Sequence, residues 1–201
     1  MHSMIIIAVA FVILLAVLYF IINLSFDAIF VRTEQQQHEL LTRFGEEITH
    51  MLSVEEILQG LSDTIQEAIN VDRLFVFILN ADGNFRIEFT PNPLEEKNFY
   101  IRADHPIVSY FKTHSGCVLL QDFSRTTIYR SMWEKEKRLL RSLNIDCFAP
   151  LMSENELVGL IALAEKKDRK PYQANDLMFL QSVAGICAVA VKNAYTYEKA
   201  I

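Results

Sequence analysis

Asp146-Cys-Phe-Ala-Pro-Leu-Met152, Ser153-Glu-Asn-Glu156 and Leu157-Val-Gly-Leu-Ile-Ala-Leu-Ala164 follow one another without a break. Two apolar runs of strand length flank four polar residues of turn type, so the stretch reads as a β-hairpin. Upstream, Arg73-Leu-Phe-Val-Phe-Ile-Leu79, Asn80-Ala-Asp-Gly-Asn84 and Phe85-Arg-Ile-Glu-Phe89 give a second hairpin, whose turn glycine supplies positive φ.

Helices bracket the two hairpins. Ser53-Val-Glu-Glu56 has a capping box, Ser at the N-cap and Glu three residues on. It opens a helix that presents Val54, Ile57, Leu58, Leu61, Ile65, Ala68 and Ile69 on one face and ends near Asn70. At the other end, Ala174 to Tyr197 is a long apolar helix. Between the hairpins lie short elements: a polar loop from Asn92 to Asn98, a strand around Phe99 to Arg102, and a helix from Pro106. Next come a strand at Cys117 to Leu120, an irregular polar segment at Gln121 to Thr127, and a charged helix from Tyr129 to Leu143. The order lacks the strand–helix alternation of a doubly wound sheet. It predicts an α+β domain with an antiparallel-dominated sheet and helices packed on it.

Met4 to Leu24 is a different kind of segment. It holds no charge, no Gly and no Pro. Its 21 residues at ~1.5 Å each match the ~30 Å core of a bilayer. A cleaved signal peptide carries a basic leader and a small-residue cleavage site. Neither is present, so the segment predicts a retained transmembrane anchor. Arg32 is the only Lys or Arg in the first fifteen residues after it, with neither before, which favours a cytoplasmic location for the C-terminal side of the span. The expected layout is a span at 4–24, a helical connector at 25–43 and one domain at 44–197, single-pass in the cell membrane at its inner leaflet.

A formal charge of −6 and the absence of a basic block argue against nucleic acid as a partner. The three cysteines, Cys117, Cys147 and Cys187, form no C-x-x-C pair and read as buried thiols.

Pro150 to Leu163, together with Lys170 to Ala194 and its Tyr172-x-x-x-Asp176 lead into the last helix, resembles the GAF domain over roughly Phe44 to Tyr197. The connector from Phe26 to Glu34 is similar to the join between spans and GAF domains in bacterial sensor histidine kinases and diguanylate cyclases. The resemblance implies a six-stranded sheet, the first and last helices paired on one face, and a small-molecule pocket on the other. It also implies a homodimer and an output kinase or cyclase domain that receives the signal. No phosphoacceptor-His motif and no Gly-Gly-Asp/Glu-Glu-Phe signature occurs within the chain, which is therefore expected not to be an enzyme. The family's cyclic-nucleotide pattern is matched only in part: Glu165-Lys166 stands for Asn-Lys, Tyr172 for Phe, Asp176 is kept and Leu177 replaces Glu.

The ligand-pocket candidates are Asp122, Tyr129, Trp133 and Phe148, three aromatic walls and one carboxylate to orient a bound molecule. Asp122 reads equally as a turn or helix cap, and Trp133 as a core plug. His105, His114 and Cys117 lie close in sequence, but His105-Pro106 reads as a helix start and His114-Ser-Gly116 as its end, so no metal is expected. Two other functions stay open: a thiol-dependent reductase of free methionine sulfoxide using Cys117 and Cys147, and a ligand-free dimerisation module. No cofactor is named by the sequence.

Overall fold

The computed structural model describes residues 2–92 and 100–198, with side chains over 13–21, 34–92 and 100–197. The polar loop expected after Asn92 and the first residue of the strand at Phe99 lie outside the described residues. The chain divides into two units, residues 1–39 and 40–201.

The first unit is helical backbone. Helix α1 runs from His2 to Glu47 and so includes the whole Met4 to Leu24 segment. Ile13, Leu14, Leu15, Val17, Leu18, Tyr19, Phe20 and Ile21 are all exposed.

The second unit begins with the last turns of α1 and a 3-10 turn at Ile48–His50. Helix α2, Val54–Ile69, starts at the capping box: Ser53 Oγ accepts the Glu56 N–H and the Glu56 carboxylate reaches back to the Ser53 N–H. It ends at Asn70, which adopts the left-handed conformation at φ 56°. Strands β1 (Leu74–Leu79), β2 (Phe85–Phe89), β3 (Tyr100–Ile101), β4 (Val118–Leu119), β5 (Ile145–Ser153) and β6 (Glu156–Ala164) form one sheet in the order β3-β2-β1-β6-β5-β4. Every pairing is antiparallel.

Turn chemistry fixes both hairpins. Gly83 at φ 81° closes β1–β2, with Asp82 Oδ1 accepting the Asn84 N–H. The β5–β6 turn is the two residues Glu154 and Asn155, both at positive φ, the geometry that matches the twist of the strands it joins. Pro150 sits within β5, but β4 pairs only with Cys147 and Phe148, so Pro150 lies where β5 is the sheet edge.

The two faces of the sheet carry separate cores. On the near face α2 and helix α7, Ala174–Glu198, pack on Leu74, Val76, Ile78, Cys147, Ala149, Leu151, Ile161 and Leu163. Among the described residues Ala174–Tyr197 is long and apolar enough to cross a membrane, but Phe179, Leu180, Val183, Ala184, Cys187 and Val191 are buried in this core. Burial of that face on the sheet accounts for its apolar composition.

Four short helices cover the far face: α3 (Pro106–Phe111), α4 (Leu120–Phe123), α5 (Thr127–Arg130) and α6 (Glu134–Ser142). The continuous helix expected from Tyr129 to Leu143 is two helices, and the irregular segment at 121–127 is largely helical. Met132 explains the break: it drops into the far-face core at 4% exposure, and the chain turns at Trp133 to start again.

Candidate functional site

The far face is where three of the four ligand candidates belong to covering elements and the fourth to the sheet. Phe148 lies on β5 opposite Val118 and is fully buried among Phe75, Phe77, Phe111, Phe123 and Leu160. Tyr129 is half-buried on α5, whose start is capped by Thr126, and its ring meets Phe123 edge-on at 5.5 Å. Lys137 Nζ lies 5.2 Å from the same ring centre. These two candidates share one apolar cluster, Tyr129 at its margin and Phe148 at its centre.

Asp122 and Trp133 lie apart from it. Asp122 is exposed on α4 and sits 3.6 Å from the Arg125 guanidinium, a pairing between neighbours on a short helix. Trp133 is neither wall nor core plug: it is 61% exposed at the N-cap of α6, with the Arg102 guanidinium stacked 3.9 Å from its ring centre. Phe148 and Tyr129 belong to the apolar cluster while Asp122 and Trp133 are exposed, so the four candidates do not converge on one site.

Trp133 instead belongs to a polar cluster at the rim. Arg102 grips Asp104 with two hydrogen bonds, at 2.9 and 3.2 Å, and lies 4.0 Å from Glu136. The Glu136 carboxylate accepts the Trp133 N–H at 2.9 Å, capping α6. Next to it His105, 5% exposed, caps α3 by accepting the Ile107 N–H on Nδ1 at 3.1 Å, with Pro106 in the first helical position. Burial holds the His105 pKa below its usual value, with the Glu136 and Asp104 carboxylates pulling it up and Arg102 pushing it down. The sequence marks the helix start at His105 but not this assembly. Its one legible sign is Glu136 three residues after Trp133, the spacing of a cap.

The cysteines are poorly suited to nucleophilic work. Burial pushes the Cys117 thiol up to about 12 and the Cys147 thiol well above its usual value, so neither carries thiolate at neutral pH. Among the described residues no three His, Cys, Asp or Glu side chains converge as metal ligands. The positions that match the cyclic-nucleotide pattern do structural work here. Lys166 pairs with Asp176 at 2.9 Å, and the Tyr172 hydroxyl donates to the Ala164 carbonyl.

The surface also carries a near-face groove of ~630 Å³ bounded by Gly45, Ile48, Leu52, Ile186, Val189 and Tyr197. A second groove of ~640 Å³ opens beside the hairpin ends between Leu79, Val158, Lys192 and Tyr195.

A family model described as the GAF domain matches residues 53–191. Diguanylate cyclase A of Treponema denticola is 25% identical over 150 residues, 71% of this chain and 37% of that protein, so the chain spans little more than a third of that curated relative. Among solved structures, the GAF domain of a phosphoenolpyruvate-protein phosphotransferase from Coxiella burnetii superposes with a TM-score of 0.64 at 14% identity, covering 83% of this chain and 98% of that one. A domain of a two-component sensor histidine kinase protein from Sinorhizobium meliloti superposes at 0.52 with 13% identity, covering 74% and 96%. At such identities the structural likeness speaks for the fold alone.

Proposed function

The chain belongs to the GAF domain family, and on that premise we propose that it is the membrane-anchored sensory module of a signal-transduction protein. The observation that carries this reading is the pairing of α2 with α7 across one face of the sheet. A small ligand bound on the other face alters the sheet between them. Relay then needs two packings of the α2–α7 pair whose populations the ligand biases, and every ~1.4 kcal/mol of differential affinity shifts that ratio tenfold. Helix α7 is 25 residues long and delivers the change to an output domain, a kinase or cyclase, by analogy with the Treponema relative.

Met4 to Leu24 supplies the anchor in this reading. Its support is a helical backbone through the whole segment and an unbroken exposed apolar surface over residues 13–21. The domain then lies on the cytoplasmic side at the inner leaflet. Two copies associate along the outer face of α7, where Met178, Ser182, Gly185, Val189 and Asn193 are exposed at helical spacing. The chain itself is non-catalytic in this reading; the unreactive settings of Cys117 and Cys147 weigh against the sulfoxide reductase alternative.

Expression of the whole chain in bacteria tests the proposal. It is expected in the membrane fraction, shielded from protease added outside intact cells, and to retain a small molecule in native mass spectra. Recovery without membrane, or turnover of free methionine sulfoxide with a thiol reductant, overturns it.

A further inference from the structure

The rim cluster carries an inference independent of any bound ligand. His105 caps α3 with an unprotonated ring nitrogen: Nδ1 accepts the Ile107 N–H and is 5% exposed with its residue. An imidazolium has donors on both nitrogens and no acceptor. A proton on this ring therefore removes the cap outright. Three charged groups face His105: Glu136 from α6, Arg102 from the exit of β3, and Asp104 from the loop before α3. Asp104 is held by Arg102 through two hydrogen bonds. Among the described residues Glu136 accepts one hydrogen bond, from the Trp133 N–H, with Arg102 at 4.0 Å. Glu136 is thus the carboxylate most easily drawn to a new cation, and it is also the cap of α6.

We propose that His105 is an acid-sensitive latch: protonation uncaps α3, draws Glu136 off the Trp133 N–H, and loosens the α3 and α6 cover of the far face. Ile107, Val108 and Phe111 of α3 and Leu140 of α6 are the core residues this cover holds in place. The direction in pH is set by linkage. Burial depresses the folded-state pKa of His105 below its usual 6.5, so the folded state binds fewer protons than an unfolded chain just below that value. The closed cover is fully stable above about 6.5 and loses stability as pH falls from there toward the folded-state pKa. The latch opens on acidification and closes on return.

Trp133 is the protein's one tryptophan and stands inside the latch, so its fluorescence reads the event directly. The test is a titration of the whole chain in detergent micelles from about pH 8 to about pH 5, with far-ultraviolet circular dichroism beside it. A reversible change in tryptophan emission with a midpoint below about 6.5 is expected, at nearly constant helix signal. His105→Asn keeps a good capping side chain that does not titrate, and abolishes the change. His50→Asn, on the exposed 3-10 turn at Ile48–His50 and away from the far-face cover, preserves it. Glu136→Gln moves the midpoint to lower pH, because the cation loses its carboxylate. The latch is overturned if wild-type emission is flat across this range, if His105→Asn retains the transition, if Glu136→Gln leaves the midpoint in place, or if emission and helix signal are lost together.

Discussion

Lys166 Nζ lies 2.9 Å from Asp176 Oδ2, with the two side chains only 14% and 7% exposed. Lys166 comes just after the end of β6 and Asp176 is in the first turn of α7, so the pair ties the last strand to the helix that closes the near-face core. Asp176 Oδ2 also accepts the Gln173 N–H at 3.0 Å, which caps that helix.

Removing one partner leaves the other charge buried without compensation, a loss of about 3–5 kcal/mol in comparable pairs. Asp176→Ala is therefore expected to lower the denaturant midpoint strongly with an unchanged m-value. Lys166→Met with Asp176→Leu should recover most of the loss, since a matched apolar pair removes the stranded charge. Equilibrium unfolding of the single and double variants checks both statements. A single variant within about 0.5 kcal/mol of wild type contradicts the argument.

Gly159 lies on β6 opposite Ile78 of β1. A Cβ built there meets the Phe77 carbonyl oxygen at 2.6 Å and Leu151 Cδ1 at 2.7 Å, and the carbonyl belongs to the paired strand and has nowhere to go. Gly159→Ala should cost about 1–3 kcal/mol as overpacking does elsewhere, measurable as a fall in the thermal midpoint. Gly83→Ala, strained by φ 81° but with open space around it, should cost about 1 kcal/mol.

Much of the scaffold is legible because its signals are local. The Ser53–Glu56 capping box, the Gly83 turn and the alternation in Phe85–Phe89 each act within a few residues, and the structure forms each of them. The far-face cover is not local. Tyr129, Trp133, Leu139, Leu140 and Leu143 suit one helix, yet the chain breaks because Met132 finds a buried site that a continuous helix does not offer. Trp133 falls outside the core for the same reason, its partner being Arg102, 31 positions away. Phe148 is legible as an inward residue, but whether it lines a cavity or fills one depends on Phe111 and Phe123, which arrive from α3 and α4.

That distinction is measurable at the candidate residues. Phe148→Ala removes a fully buried ring and should destabilise the domain by about 3–5 kcal/mol. Asp122→Ala, which removes an exposed carboxylate 3.6 Å from the Arg125 guanidinium, should stay within about 0.5 kcal/mol. Side-by-side chemical denaturation distinguishes a core ring from a surface charge. If Phe148→Ala costs under about 1 kcal/mol, its ring faces a space that collapses cheaply, as a ligand cavity would.

Thiol reactivity offers a further check on the chemistry. Burial pushes Cys117 and Cys187 up to about 12 and raises Cys147 well beyond the ordinary thiol range, with Cys117 and Asp146 adding to the effect at Cys147. Thiolate is the reactive form, so at about pH 8 the folded protein should be alkylated far more slowly than a free thiol at all three positions. Cys147 and Cys187, fully buried, should require unfolding before they react at all, whereas Cys117, part-exposed next to β4, should be the first to label as pH rises. Timed iodoacetamide labelling of the folded chain, read by peptide mass spectrometry and repeated in denaturant, resolves the order. Rapid labelling of Cys117 at neutral pH would show a thiolate that its buried setting does not support, and would return the sulfoxide reductase reading to contention.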